Sequence, residues 1–259
     1  MPHFGHAGKR FALTTLSSIL LLAGCGSTPK QSEAPRIATP KAIERPTDTG
    51  LTPEHKLVEA KEIWAKTRNK ARRDELLLNA AELYLSQDKP ILAQQILFEV
   101  KQDGIPNELE SYYALLMVKA YVDAPSTSID DLLAMLERVT ENQDTVAEKA
   151  TLQAYLFSKK GNYAAAANST LKTDLPDEEK VRNVWEWITS VPSRELSQIG
   201  RQYSALSPFI TLRQLTEQYA ASPQEFNNNL AQFRQVYRGH VITNALPQEV
   251  LDAATISDA

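Results

Sequence analysis

Past residue 50 the chain carries only four glycines, Gly104, Gly161, Gly200 and Gly239, and its apolar residues recur three and four positions apart. That spacing gathers them on one face of an α-helix. Runs of β-branched residues alternating between turn residues, the mark of strands, are nearly absent. The chain is thereby confined to an all-α fold. Leu57, Ala60, Ile63, Trp64 and Thr67 make the first stripe, with Thr52-Pro53 supplying an N-cap and a first-turn proline. Further helices are predicted over about 73–87, 91–101, 107–123, 127–141, 144–160 and 163–172. Four more follow over about 177–190, 193–204, 208–220 and 223–237.

A repeat runs through the first part of this body. Ala93, Leu132 and Ala166 fall in register at spacings of 39 and 34 residues, each early in the second helix of a helix–turn–helix unit. The clearest unit runs from Ala154 to Ala166. Ala154 belongs where two helices approach closely, Gly161 takes a left-handed turn, and Tyr163 opens the second helix. The first unit keeps Ala81 and Ala93 but has Asp88 in the glycine position, and the middle unit has an irregular turn at Asp123-Ala124-Pro125-Ser126. This pattern resembles degenerate tetratricopeptide (TPR) repeats. Such units bury their apolar faces only against neighbours, so residues 54–247 are expected to form one TPR-like helical-repeat solenoid, with 248–259 a C-terminal tail.

The first 53 residues read differently. Lys9 and Arg10 precede a 13-residue stretch, Phe11 to Ala23, that is apolar but softened by Thr14, Thr15, Ser17 and Ser18. It is too short for a bilayer span and suits a signal-peptide core. It ends in Leu22-Ala23-Gly24-Cys25, which resembles a bacterial lipobox, and Cys25 is the chain's single cysteine. Residues 1–24 are thus expected to be a lipoprotein signal peptide, with Cys25 the lipid attachment site; the alternative is an ordinary signal peptide with a chance cysteine. Gly26 stands where inner-membrane lipoproteins commonly have Asp. The resemblance therefore implies an outer-membrane protein, lipid-anchored on the periplasmic face. From Cys25 to Pro53 five prolines and polar fillers leave no apolar periodicity, which predicts a disordered tether reaching on the order of 85 Å.

Chemistry is sparse. A formal charge of −4 is a poor start for a nucleic-acid binder, and the signal peptide holds two of the cations and no acid. The lone cysteine excludes an internal disulfide and a cysteine-rich metal site. His55 and His240 are far apart, and no HExxH, calcium loop, Gly-rich phosphate loop or Gly-x-Ser-x-Gly elbow occurs. No cofactor is expected. Asp130-Asp131 and Glu178-Glu179 could be paired catalytic acids, but both sit in predicted first helical turns, where carboxylates complement the dipole. One dense charge run remains: Lys66, Arg68, Lys70, Arg72 and Arg73. It reads either as a contact for an anionic glycan or acidic partner, or as an interhelical turn whose bases cap helix C-termini. Met117 and Met135 read as core filler, Asn227 to Asn229 as a solvated face, and Trp185 and Trp187 as one core and one surface candidate.

Three segments carry a family resemblance. Arg73-Asp74 with Leu76-Leu77-Leu78 and Ala80-Ala81 resembles the opening repeat of the LpoA-type lipoprotein activators of penicillin-binding proteins (LppC family). Val184-Trp185 through Ile188, Val191-Pro192 and Glu195-Leu196 is similar to that family's tryptophan-containing stretch. Gln232 to Tyr237, His240 and Leu246-Pro247 are similar to its closing helix and exit. The resemblance implies a non-enzymatic regulator of peptidoglycan synthesis that acts by binding a class A penicillin-binding protein or peptidoglycan. It also implies the helical amino-terminal domain alone, since family members continue into an α/β domain where this sequence reaches Ala259. The alternatives are a TPR-like adaptor lipoprotein in outer-membrane protein or pilus assembly and, more remotely, a periplasmic enzyme acting on cell-wall glycan.

Overall fold

The structure is a computed structural model, and it describes residues 52–255. Cys25, the signal peptide and the tether as far as position 51 lie outside the described residues, as do positions 256–259, whereas Thr52 caps and Pro53 begins the first helix. Thirteen α-helices and no strand occur among the described residues. The first seven are α1 (Pro53–Thr67), α2 (Lys70–Ser86), α3 (Pro90–Gln102), α4 (Glu110–Tyr121), α5 (Ile129–Leu136), α6 (Val146–Lys159) and α7 (Tyr163–Thr170). They are followed by α8 (Asp177–Ser190), α9 (Leu196–Gln202), α10 (Ser207–Gln218), α11 (Pro223–Val236), α12 (Val241–Asn244) and α13 (Gln248–Thr255).

Local chemistry starts the stack. Thr52 caps α1 by accepting from the His55 amide at 3.3 Å, and the Thr52 amide donates back to His55 Nδ1 at 3.4 Å, a reciprocal capping box that precedes Pro53. Each helix from α1 to α7 then packs on the next. In addition α2 touches α4 and α4 touches α6, so the first helices of successive pairs lie side by side. That is the TPR-like solenoid the repeat predicts. The three register residues, Ala93 on α3, Leu132 on α5 and Ala166 on α7, are all buried.

The outer pairs close through the same turn. The Lys89 amide donates to Tyr84 O at 2.9 Å and the Asn162 amide to Phe157 O at 2.9 Å. Both turns place one residue in the left-handed region, Asp88 at φ 57° and Gly161 at φ 77°. The middle pair lacks such a residue, and α5 is shorter than the predicted 127–141. Ser128 starts it by accepting from the Asp131 amide, and the Val139 amide folds back onto Leu136 O at 3.0 Å. The buried Lys149 then holds Val139 O at 3.0 Å and Glu141 at 3.2 Å, so that 137–145 is a clamped loop.

Helix α4 shows why apolar pattern and position agree. Its Tyr113, Leu116 and Ala120 enter the core shared with α1 to α3, while Ala114, Leu115 and Val118 enter the next core with α5 and α6. A helix flanked on two sides cannot be amphipathic, and α4 carries apolar residues all round. Met117 and Met135 are half-buried against these cores and line an open cleft of about 260 Å³, so neither is simply a filler.

After α7 the pairing loosens into shorter pieces. Trp185 and Trp187 are both buried in a third core with Phe209, Leu212, Phe226 and Leu230, which removes the surface role considered for one of them. The packed body also continues past Pro247. Val250 of α13 is fully buried, Trp185 Nε1 donates to Glu249 at 2.7 Å, and Asn227 Nδ2 donates to Ala254 O at 3.1 Å. Residues 248–255 are therefore a core helix, not a tail, and Asn227 is an interhelical tie.

Candidate functional site

The basic run occupies the turn between α1 and α2, where most of its charge is matched internally. Lys66 pairs with Glu62 at 3.1 Å, and Arg72 pairs with Glu75 at 2.7 Å, with Glu59 further off at 3.8 Å. Arg73 is nearly buried: its Nε donates to Asp74 at 2.8 Å and its Nη2 to Asp103 at 2.8 Å. Burial works against the Arg73 cation, but the hydrogen bonds to Asp103 and Asp74 outweigh it and raise the pKa. Lys70 joins the same fully buried Asp74 and also donates to Gly104 O, just past the end of α3. Arg68 makes no ion pair among the described residues. It takes the left-handed C-cap of α1, and its guanidinium lies 5.2 Å from the centre of the Trp64 ring, while that of Arg73 lies 4.8 Å away.

Other candidate chemistry resolves into caps. Asp130 and Asp131 stand in the first turn of α5, and Glu178 and Glu179 in that of α8. His55 belongs to the capping box of α1, and His240 caps α12 by accepting from the Ile242 amide at 3.3 Å. Among the described residues no group of three or more His, Cys, Asp or Glu could hold a metal ion. No described helix is long and apolar enough to cross a membrane.

A cleft of about 610 Å³ lies between the α6–α7 turn and the segment from Ser190 to Tyr203. Tyr163 and Tyr203 supply aromatic surface, and Asn162, Glu195, Gln198 and Gln202 supply polar groups. A residue not singled out from the sequence builds its wall. Arg213 of α10, nearly buried, donates to the carbonyls of Ile188 and Val191, the latter at 2.6 Å, and to Ser193 Oγ at 3.0 Å, while Glu217 holds its Nε at 2.8 Å. One guanidinium thus adds a second donor to Ile188 O, which also accepts from the Val191 amide at 3.4 Å, bonds Val191 O, and fixes the Val191-Pro192 turn. Only Glu217 lies at helical spacing; the two carbonyls are 25 and 22 positions away and Ser193 is 20, so no local spacing announces this part of its role.

These features define an α-solenoid of TPR-like helix pairs, a scaffold class that presents surfaces and clefts for binding. No family model and no curated protein matches the sequence. Among solved structures the fold is that of the amino-terminal domain of LpoA from Haemophilus influenzae. A crystal structure of that isolated domain superposes with a TM-score of 0.51 at 14% identity, covering 80% of this chain and 96% of the domain. Full-length LpoA in a monoclinic form superposes with a TM-score of 0.52 at 14% identity, covering 80% of this chain and 38% of LpoA. This chain matches well under half the length of full-length LpoA, and at such identity the likeness is one of fold.

Proposed function

We propose that this chain is an outer-membrane lipoprotein, anchored through Cys25, that serves by protein binding as a regulator of peptidoglycan synthesis by class A penicillin-binding proteins. The observation that carries this reading is the superposition on nearly the whole LpoA amino-terminal domain. It is supported by the Leu22-Ala23-Gly24-Cys25 block, whose likeness to a lipobox favours anchoring at the periplasmic face. Several acyl chains, each contributing about 0.8 kcal/mol per buried methylene, hold such a protein stably on a bilayer. The likeness to the amino-terminal domain of LpoA supports reading the chain as a regulator and not a catalyst. Of the basic run, Arg68 alone has no ion-pair partner among the described residues, which leaves it to meet an anionic surface.

The test is crosslinking of the full-length chain in native envelopes, followed by mass spectrometry. A class A synthase should dominate the products, and the chain's amino terminus should be a triacylated Cys25. Capture of an outer-membrane assembly barrel or a pilus component instead would replace this reading with that of an adaptor lipoprotein. An unlipidated protein free in the periplasm would overturn the anchoring.

A further inference from the structure

We propose that the cleft between the α6–α7 turn and the Ser190–Tyr203 segment is a binding site for a neutral saccharide. The saccharide class follows from the cleft itself; that its source is the glycan strand of the cell wall rests on the function proposed above.

No Lys, Arg or His lines the cleft, and its single charge is the Glu195 carboxylate. A phosphate or polyanion would find no counter-charge there. Glu195 itself is only loosely engaged, 3.8 Å from Arg194. Among the described residues the Tyr163 hydroxyl and the Gln198 amide have no hydrogen-bond partner, and Asn162 uses only its Oδ1, on the Ala165 amide. The cleft therefore offers donors and acceptors together. A sugar ring answers both through its hydroxyls, each of which donates and accepts. A proline-rich peptide, the usual guest of tyrosine-lined grooves, brings carbonyls but few N–H donors for Glu195 and Gln198. A peptide adding to a sheet edge has no strand to join among the described residues.

Aromatic surface completes the match. Tyr163 and Tyr203 are half-buried and packed against the third core, so their rings are held in place and not freely mobile. Aromatic faces suit the C–H faces of pyranose rings, which are apolar between hydroxyl edges. The volume of about 610 Å³ falls within the ordinary range for ligand sites and admits two or three sugar residues. The wall is preorganised, because Arg213 ties Val191 O and Ser193 from behind, and little ordering entropy has to be met when a ligand arrives.

Isothermal titration calorimetry of the full-length lipidated chain in detergent tests this, with chitotetraose as the probe and a proline-rich peptide as comparator. Chitotetraose should bind with a Kd of about 0.1–1 mM and the peptide should not. Gln198→Ala, at an exposed position, should weaken binding about fivefold, and Tyr203→Ala about tenfold or more, whereas Tyr203→Phe should stay within about twofold. Peptide-free glycan strands should compete with chitotetraose. No heat at about 10 mM chitotetraose, peptide binding in its place, or unchanged affinity in both Gln198→Ala and Tyr203→Ala would overturn the site. Chitotetraose binding without competition by glycan strands would overturn the cell-wall source. Envelope crosslinking to a synthase reads the regulatory function separately, so either result can fail without the other.

Discussion

Asp88 and Gly161 are structural equivalents, 73 positions apart, each the left-handed residue of a turn whose next amide reaches back five residues. Only glycine adopts this conformation without a Cβ penalty, and Asp tolerates it better than most residues. A Cβ built on Gly161 meets no atom within 4 Å, so the cost of substitution there is one of conformation and not of collision. We expect Gly161→Ala to destabilise the protein by about 1 kcal/mol, and Asp88→Gly to be neutral or stabilising by a few tenths to about 1 kcal/mol. Urea denaturation midpoints check both. A neutral Gly161→Ala would mean that the turn relaxes into another geometry.

Asp74 has no exposed surface, and three groups hold it or compete for its charge: Arg73, Lys70 and, through Arg73, Asp103. Removing one member of a buried ion cluster leaves the others desolvated and unmatched. Asp74→Ala should therefore cost about 3 kcal/mol or more, well above the cost of Glu62→Ala, whose pair with Lys66 is solvent-exposed. If Asp74→Ala and Glu62→Ala shift the denaturation midpoint equally, the cluster is not the clamp that joins α2 to the end of α3.

Arg213 reaches two backbone carbonyls that no other side chain satisfies in this structure. Arg213→Ala should cost about 3 kcal/mol, and Arg213→Lys should recover only part of it, because an ammonium cannot span Ile188 O, Val191 O, Ser193 and Glu217 in one plane. Hydrogen exchange of the 190–196 amides should accelerate in both variants. Full recovery by lysine would reduce the role of Arg213 to charge alone.

Much of the fold was legible because its causes are local. The capping box at Thr52, the Gly161 turn and the alanine register at 93 and 166 each rest on residues within one or two helical turns. The site features were less legible because their partners are remote. The basic run reads either as a contact patch or as a capped interhelical turn, and what decides between them is remote: Asp103 lies 30 positions from Arg73 and Gly104 lies 34 from Lys70. Helix α13 was hidden for a related reason: after Leu246-Pro247 the chain offers only eight helical residues, and their anchor, Trp185, lies 64 positions earlier than Glu249. Trp185 and Trp187 fall on different sides of α8, but the third core wraps that helix closely enough to bury both.

His240 gives the structure a specific sensitivity to acid. Its ring packs edge-on to Phe209, 5.8 Å between centroids, and its Nδ1 accepts from the Ile242 amide, so the neutral imidazole is the form that fits. Burial lowers its pKa below the ordinary histidine value of 6.5. In the unfolded chain the same side chain titrates near 6.5, so on acidification the unfolded state takes up the proton first. Stability from this group is therefore complete above about pH 6.5 and declines as pH falls through the folded-state pKa. His240→Asn keeps a side chain able to cap α12 but removes the titration. The difference in urea midpoint between wild type and His240→Asn should narrow in favour of the variant between about pH 7.5 and pH 5.5, a range above the main carboxylate titrations. Parallel pH profiles for the two proteins would show that His240 takes up its proton equally in both states, and the buried, capping role assigned to it would be wrong.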